Sequence, residues 1–184
     1  MGYVPTLKTW SDGARVTAAD FNDQIRDGLG ALLNPPQALV HRTDASATLA
    51  SGTTYIATPW QVAATDTDGM WNAANPTRLT IGTAGYYLIQ AKYVWGNYAA
   101  GYRSTWLKVN AGGNPAAGTG LDNDLVQPVP ATTTTTRLIT SRLMVAGDHL
   151  ELFTYQTSGA TQNSTFGLTG PTMSVQWTGI AGTL

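Results

Sequence analysis

The chain has 184 residues, no cysteine, a formal charge of -1 and 11% charged residues, well under the ~25% of an ordinary soluble protein. That length holds one domain of usual size plus a small appendage, and the lack of thiols excludes a disulfide framework, a thiolate metal site and a cysteine nucleophile. Without a basic cluster the sequence lacks the electrostatic footprint of a nucleic-acid binder, and without an apolar run near ~20 residues it lacks a membrane-spanning helix.

In chain order, Met1 to Trp10 is polar with isolated apolar side chains, Tyr3, Val4, Leu7 and Trp10, that need a partner surface. It has neither the basic start nor the apolar stretch of a signal peptide. The next segment carries the marks of a helix start: Thr17 as N-cap, Asp20 three residues on as the capping-box acid, and Val16 with Phe21 as a hydrophobic staple. A helix over about 17–33 is predicted. Phe21, Ile25, Leu29, Leu32 and Leu33 draw one apolar stripe along it, and Asn34-Pro35-Pro36 stops it. Gly28 and Gly30 each weaken it by ~1 kcal/mol, so the helix requires docking. Two readings of the stripe stand: packing onto the chain's own β-domain, or anchoring to a larger assembly or to copies of itself.

From Ala38 onward the pattern changes to short apolar or alternating runs broken by turn residues. Strands are predicted at Ala38 to Arg42, Thr53 to Thr58, Trp60 to Ala63, Arg78 to Ile81, Gly85 to Trp95, Tyr102 to Asn110, Thr132 to Met144, His149 to Gln156 and Met173 to Trp177. Turn signals separate them, including Asp68-Gly69, Gly112-Gly113-Asn114-Pro115 and Gly147-Asp148. Many strands with no second helix give an all-β fold, a jelly-roll β-sandwich preceded by one short N-terminal α-helix, with residues 1–36 as an anchor segment and 37–184 as the head.

The longest strand, Gly85 to Trp95, alternates Tyr87, Ile89, Ala91, Tyr93 and Trp95 on one face with Tyr86, Leu88, Gln90, Lys92 and Val94 on the other. Neither face is fully polar, which places the strand inside a sandwich or at a subunit interface.

The chemistry of catalysis is thin. His41 and His149 are the only histidines, neither in a metal-binding spacing, and no nucleophile elbow, zinc helix or phosphate-cradling loop occurs. Asp66 with Asp68, and Asp122 with Asp124, are the close carboxylate pairs outside the helix, and both sit in turn-like sequence. Calcium is the other use of an Asp-x-Asp-Gly loop. A full EF-hand would place Glu at the twelfth position from Asp66, where Thr77 stands. No enzyme activity, cofactor or metal is therefore assigned. Trp60, Trp71, Trp95 and Trp106 with Tyr98 and Tyr102 offer a stacking surface for sugars. Trp71, Trp95 and Trp106 fit buried core or interface better, which leaves Tyr98 and Tyr102, in the loop Asn97 to Tyr102, as the candidate glycan-binding pair.

Two resemblances follow from ordered motifs. Trp71 after Asp66 to Met70, then Arg78-Leu79-Thr80-Ile81, Gly85-Tyr86-Tyr87, and Ala146-Gly147-Asp148 leading into an alternating strand, resemble the jelly-roll heads of the complement globular-head and tumour-necrosis-factor superfamily over about 38–184. That resemblance implies a homotrimer, with one face of Gly85 to Trp95 as core and the other against neighbouring subunits. Intramolecular burial of both faces is the alternative. Tyr86, Tyr87, Leu88, Ile89, Tyr93, Val94 and Trp95 are the trimer-interface or core candidates.

The segment Thr9-Trp10-Ser11-Asp12-Gly13, Val16 to Asn22 and Ile25-Arg26-Asp27 resembles the opening of small virion proteins of tailed bacteriophages infecting actinobacteria. It implies a virion structural protein on the particle surface, made in the host cytoplasm without a signal peptide and contacting other virion proteins of capsid or tail. With no shaft between Pro36 and the head, a capsid decoration or head fibre is expected, with a minor tail or tail-fibre knob that binds host-surface carbohydrate as the alternative.

Overall fold

The computed structural model describes residues 8–44, 48–52 and 54–180, so Tyr3, Val4, Leu7 and Thr53 lie outside the described residues. Helix α1 covers 18–33. The Thr17 hydroxyl accepts the Asp20 N–H at 3.2 Å, and the Asp20 carboxylate accepts the Thr17 N–H at 2.9 Å, which completes the predicted capping box. The ammonium of Lys8, then the two Thr17 groups, hold the Asp20 carboxyl down at about 2. The helix is not uniformly α. It begins as α over Ala18–Phe21, widens to a π segment over Asn22–Arg26 and returns to α over Asp27–Leu33. Asn34 leaves helical geometry at φ -137°, directly before the proline pair.

The strands are β1 Gln37–His41, β2 Thr48–Leu49, β3 Ile56–Ala57, β4 Val62–Asp66, β5 Leu79–Thr80, β6 Gly85–Trp95, β7 Arg103–Val109, β8 Thr119–Val126, β9 Thr134–Met144, β10 His149–Gln156, β11 Gln162–Asn163 and β12 Thr172–Gly179. They form two antiparallel sheets. The first runs β4-β1-β12-β6-β9; the second runs β3-β10-β7-β8, with β5 also on β10, and β2 pairs β11 separately. Neighbours distant in sequence, such as β1 beside β12 and β6 beside β9, are the crossovers of a jelly roll.

Period-two burial on facing strands builds the core. Tyr87, Ile89, Ala91, Tyr93 and Trp95 of β6 face inward and meet the layer of Leu107 and Val109 from β7 and Leu150 and Leu152 from β10. Burial of an aromatic hydroxyl in this layer disfavours the phenolate, so the Tyr93 pKa rises to about 12. Tyr87 is raised as well, by burial and then by Asp68, and its hydroxyl donates to the Thr83 carbonyl at 2.6 Å.

Three expectations need correction. Asp122 and Asp124 lie in strand β8, not in turns. Their carboxylates accept the outward N–H groups of Ile139 at 3.2 Å and Arg137 at 2.9 Å, so side chains of one sheet bond the edge of the other. Aspartate disfavours strands because it competes for backbone hydrogen bonds, and here that competition is directed onto a neighbouring edge. Trp60 is fully buried and offers no stacking surface. The strand predicted from Thr53 shortens to Ile56–Ala57, while the two-residue strands β2 and β11 were not expected.

Candidate functional site

Three surfaces remain after the core is built. The first is the helix stripe. Phe21, Ile25, Leu29, Leu32 and Leu33 are all exposed, Leu32 at 70% and Leu33 at 84%, and only Ala31 of the helix is buried. An apolar groove runs between Ile25, Leu29 and Leu32 on the helix and Trp177 and Ile180 at the end of β12. Among the described residues the stripe thus borders its own β-domain along this groove but stays largely exposed.

The second is the outer face of the first sheet. β6 presents Tyr86, Leu88, Gln90 and Lys92 there, in register on β9 with Leu143, Ser141, Ile139 and Arg137. Tyr86 is 45% and Ile139 65% exposed, Leu143 is exposed and Leu88 half-buried, around the more polar middle made by Gln90, Lys92, Ser174 and Thr172. Val94 parts from this group. It is buried within its own chain, where its carbonyl accepts the Thr165 N–H and neighbouring Trp95 bridges to Ser164. Of the interface candidates, Tyr87, Ile89, Tyr93, Val94 and Trp95 are therefore buried by this chain, and Tyr86 and Leu88 face outward.

The third is the end of the sandwich where β6 turns into β7. The loop 96–102 is exposed at Asn97 to Gly101, and Tyr98 is 43% exposed. Beneath it lies Arg103, fully buried at the start of β7 and on the same phase as Leu107 and Val109. Its guanidinium donates to the carbonyls of Tyr98 at 2.9 Å and of Ala100 and Tyr102 at 3.1 Å, while Nε has no hydrogen-bond partner among the described residues. Burial pulls its pKa down, though a guanidinium stays charged throughout the physiological range. Gly101 sits at φ +70°, and a Cβ there would lie 1.9 Å from the Thr157 carbonyl, so the loop fits only with glycine at this point.

Tyr98 and Tyr102 do not act alike. Tyr102 ends a row of rings: its centroid is 5.7 Å from Tyr155, Tyr155 stacks on Tyr55 at 5.0 Å, and Tyr55 meets Trp106 edge-on at 5.7 Å. The hydrogen bond with Tyr155 raises the Tyr102 pKa. Lys108 extends the row, with its ammonium 4.3 Å from the Trp106 ring centre and donating to the Pro115 carbonyl. These rings use their faces on one another, whereas Tyr98 stands apart.

Asp66 and Glu151 are both engaged within the chain. Asp66 accepts the N–H groups of Met70 at 2.8 Å and Trp71 at 2.9 Å, the predicted turn role. Glu151 is fully buried on the outer face of the second sheet, where it accepts from the Gly113 N–H at 2.9 Å, from the Thr77 hydroxyl at 3.3 Å and from Arg78 Nε at 3.4 Å. Arg103 and Glu151 were both missed in the sequence. For Arg103 the usable signal was phase, since it shares the inward face of β7 with Leu107 and Val109; Glu151 stands on the opposite face from Leu150 and Leu152, so phase gave no signal for its burial.

These described residues define a jelly roll of the C1q and tumour-necrosis-factor type. Among solved structures the chain is similar to the globular domain of zebrafish complement 1qA protein, at 10% identity over 77% of this chain and 96% of that one, with a TM-score of 0.53. It is similar also to Eiger TNF from S. frugiperda (12% identity, 80% and 96% covered, TM-score 0.53) and to murine APRIL (8%, 77% and 99%, TM-score 0.56). At these identities the likeness is one of fold. No protein-family model matches the chain, and no curated protein matches it in sequence.

Proposed function

We propose that this protein is a non-enzymatic bacteriophage virion structural protein: a homotrimeric jelly-roll knob held on the particle by residues 1–36, as a capsid decoration or head fibre. The observation that supports it most is the helix stripe, five large apolar side chains that stay exposed among the described residues. Such a stripe is consistent with an intermolecular seat. The virion setting rests on the resemblance of Thr9 to Pro36 to phage virion openings, and the short link from Pro36 to β1 favours a squat knob over a long fibre. The trimer is supported by the open face around Tyr86 and Ile139, on the sheet where the superfamily resemblance puts subunit contacts. Leu29→Glu with Leu32→Glu tests the anchor. Virions assembled with this variant are expected to lack the protein while its purified head keeps its far-ultraviolet spectrum; normal occupancy would refute the anchor. Copy number separates the sites: hundreds per particle mean the capsid, a handful the tail.

A second reading, a tail knob that binds host-surface carbohydrate, is favoured by one feature: the exposed Tyr98 on a loop that Arg103 holds in place. Binding on a glycan array that survives Tyr98→Ala unchanged would remove this site.

A further inference from the structure

The end of the sandwich that carries Tyr98 has an unusual charge balance. Segments 50–52, 96–102 and 157–161 are tied together there: the Gly52 N–H donates to the Gln156 carbonyl, the Gly159 N–H to the Ser51 hydroxyl, and Tyr102 and Thr157 exchange bonds. The segment 127–133 leaves from Val126, which pairs with Arg103. None of these four segments contains Asp, Glu, Lys or Arg. The buried guanidinium of Arg103 lies beneath the 96–102 loop, and its hydrogen-bond partners are main-chain carbonyls rather than a carboxylate.

The bonding pattern gives that charge a direction. In a trans peptide the C=O of one residue and the N–H of the next point opposite ways. The carbonyls of Tyr98 and Ala100 point at the guanidinium, so the N–H groups of Ala99 and Gly101 point away from it, on the exposed part of the loop. Neither N–H makes a hydrogen bond among the described residues. Two peptide dipoles thus turn their positive ends outward in front of a buried cation, on segments that carry no acidic side chain of their own. Main-chain donors arranged in this way favour an anion.

We infer that the 96–102 loop is a recognition site for an acidic sugar, whose carboxylate is received by the N–H groups of Ala99 and Gly101 and whose apolar ring face lies on Tyr98. This rests on the carbohydrate reading above and narrows it to a uronic-acid class of ligand. Arg103 acts as a positioning residue: it fixes the carbonyls inward, and so the donors outward, without touching the ligand.

The test is an amide-resolved NMR titration of the full chain with sodium glucuronate and, separately, with glucose. Glucuronate is expected to move the Ala99 and Gly101 amide signals in a saturable way that salt weakens, while glucose leaves them in place. Tyr98→Ala is expected to weaken glucuronate at least tenfold. Equal shifts with both sugars would overturn the acidic assignment and leave the carbohydrate reading standing. No shift with either would overturn both. A folded Arg103→Gln protein that binds glucuronate as tightly as wild type would also overturn the inference; should that variant fail to fold, the wild-type titration decides alone.

Discussion

The two outer faces of this sandwich are finished in opposite ways. On the second sheet, Phe153 lies in register between Trp106 and Ala57 and is fully buried, and Glu151 and Lys108 beside it are buried with their charges on backbone and ring partners. On the first sheet the corresponding outward positions, Tyr86, Ile139 and Leu143, stay open to solvent. Both faces belong to antiparallel sheets of similar size, so sheet geometry does not set the difference. What differs is how far the covering loops reach: 110–118 bonds Lys108 and Glu151 in the middle of the second sheet, whereas on the first sheet the segment 164–168 covers only the end at Lys92 and Val94, with the Lys92 ammonium donating to the Leu168 carbonyl at 2.9 Å. A face closed by its own chain serves stability, and one left apolar and open is available to another subunit.

This contrast can be broken by substitution. Phe153→Ala removes a large side chain from the closed face and should destabilise the fold by about 3–5 kcal/mol in urea unfolding. A loss under about 1 kcal/mol would show that the closed face is not packed as described. Glu151→Ala strands the donors at Gly113, Thr77 and Arg78 and is expected to lower stability by about 2–3 kcal/mol in the same measurement.

The inner layer that both faces share is read by pH. The Tyr93 pKa is higher folded, at about 12, than the ordinary value of 10. Its contribution is therefore fully present below pH 10 and is lost as pH rises toward 12, at about 1.4 kcal/mol per pH unit. Tyr93→Phe should flatten that alkaline limb relative to wild type; an unchanged slope would mean that Tyr93 titrates normally. The smallest effect on folding, under about 0.5 kcal/mol, is expected for Ile139→Lys on the open face. Its readout is mass: sedimentation should show the proposed trimer for wild type and monomers for this variant, and trimers retained in full by the variant would exclude this part of the face from the interface.

How much of this was written legibly in the chain varies by element. Gly85–Trp95 and His149–Gln156 were read to the residue, because period-two alternation over eight or more positions between glycine turns has no competing interpretation. The capping box at Thr17 and Asp20 was read for the same reason: its chemistry is local. β8 was hidden, since Thr119–Val126 contains Gly, Asn and two Asp, and the use of those carboxylates depends on where β9 lies in space. The π segment in the helix carries no composition signal either. At the candidate site, Tyr98 and the loop were visible as aromatic and glycine-rich sequence, but Arg103 was not, because an arginine is ordinarily read as a surface residue. Its role depends on three carbonyls brought back over it by the loop that precedes it.

The carboxylates of Asp122 and Asp124 have one further consequence. β9 is the last strand of the first sheet, and a bare terminal strand is a template on which another chain can add indefinitely. By occupying the amides of Arg137 and Ile139, the two aspartates remove two docking points for such lateral growth. Lateral growth at this edge is thereby disfavoured, which leaves the open face around Tyr86 and Ile139 for the closed association proposed above. This protection acts on association between chains and is separate from what the same two hydrogen bonds add to folding stability.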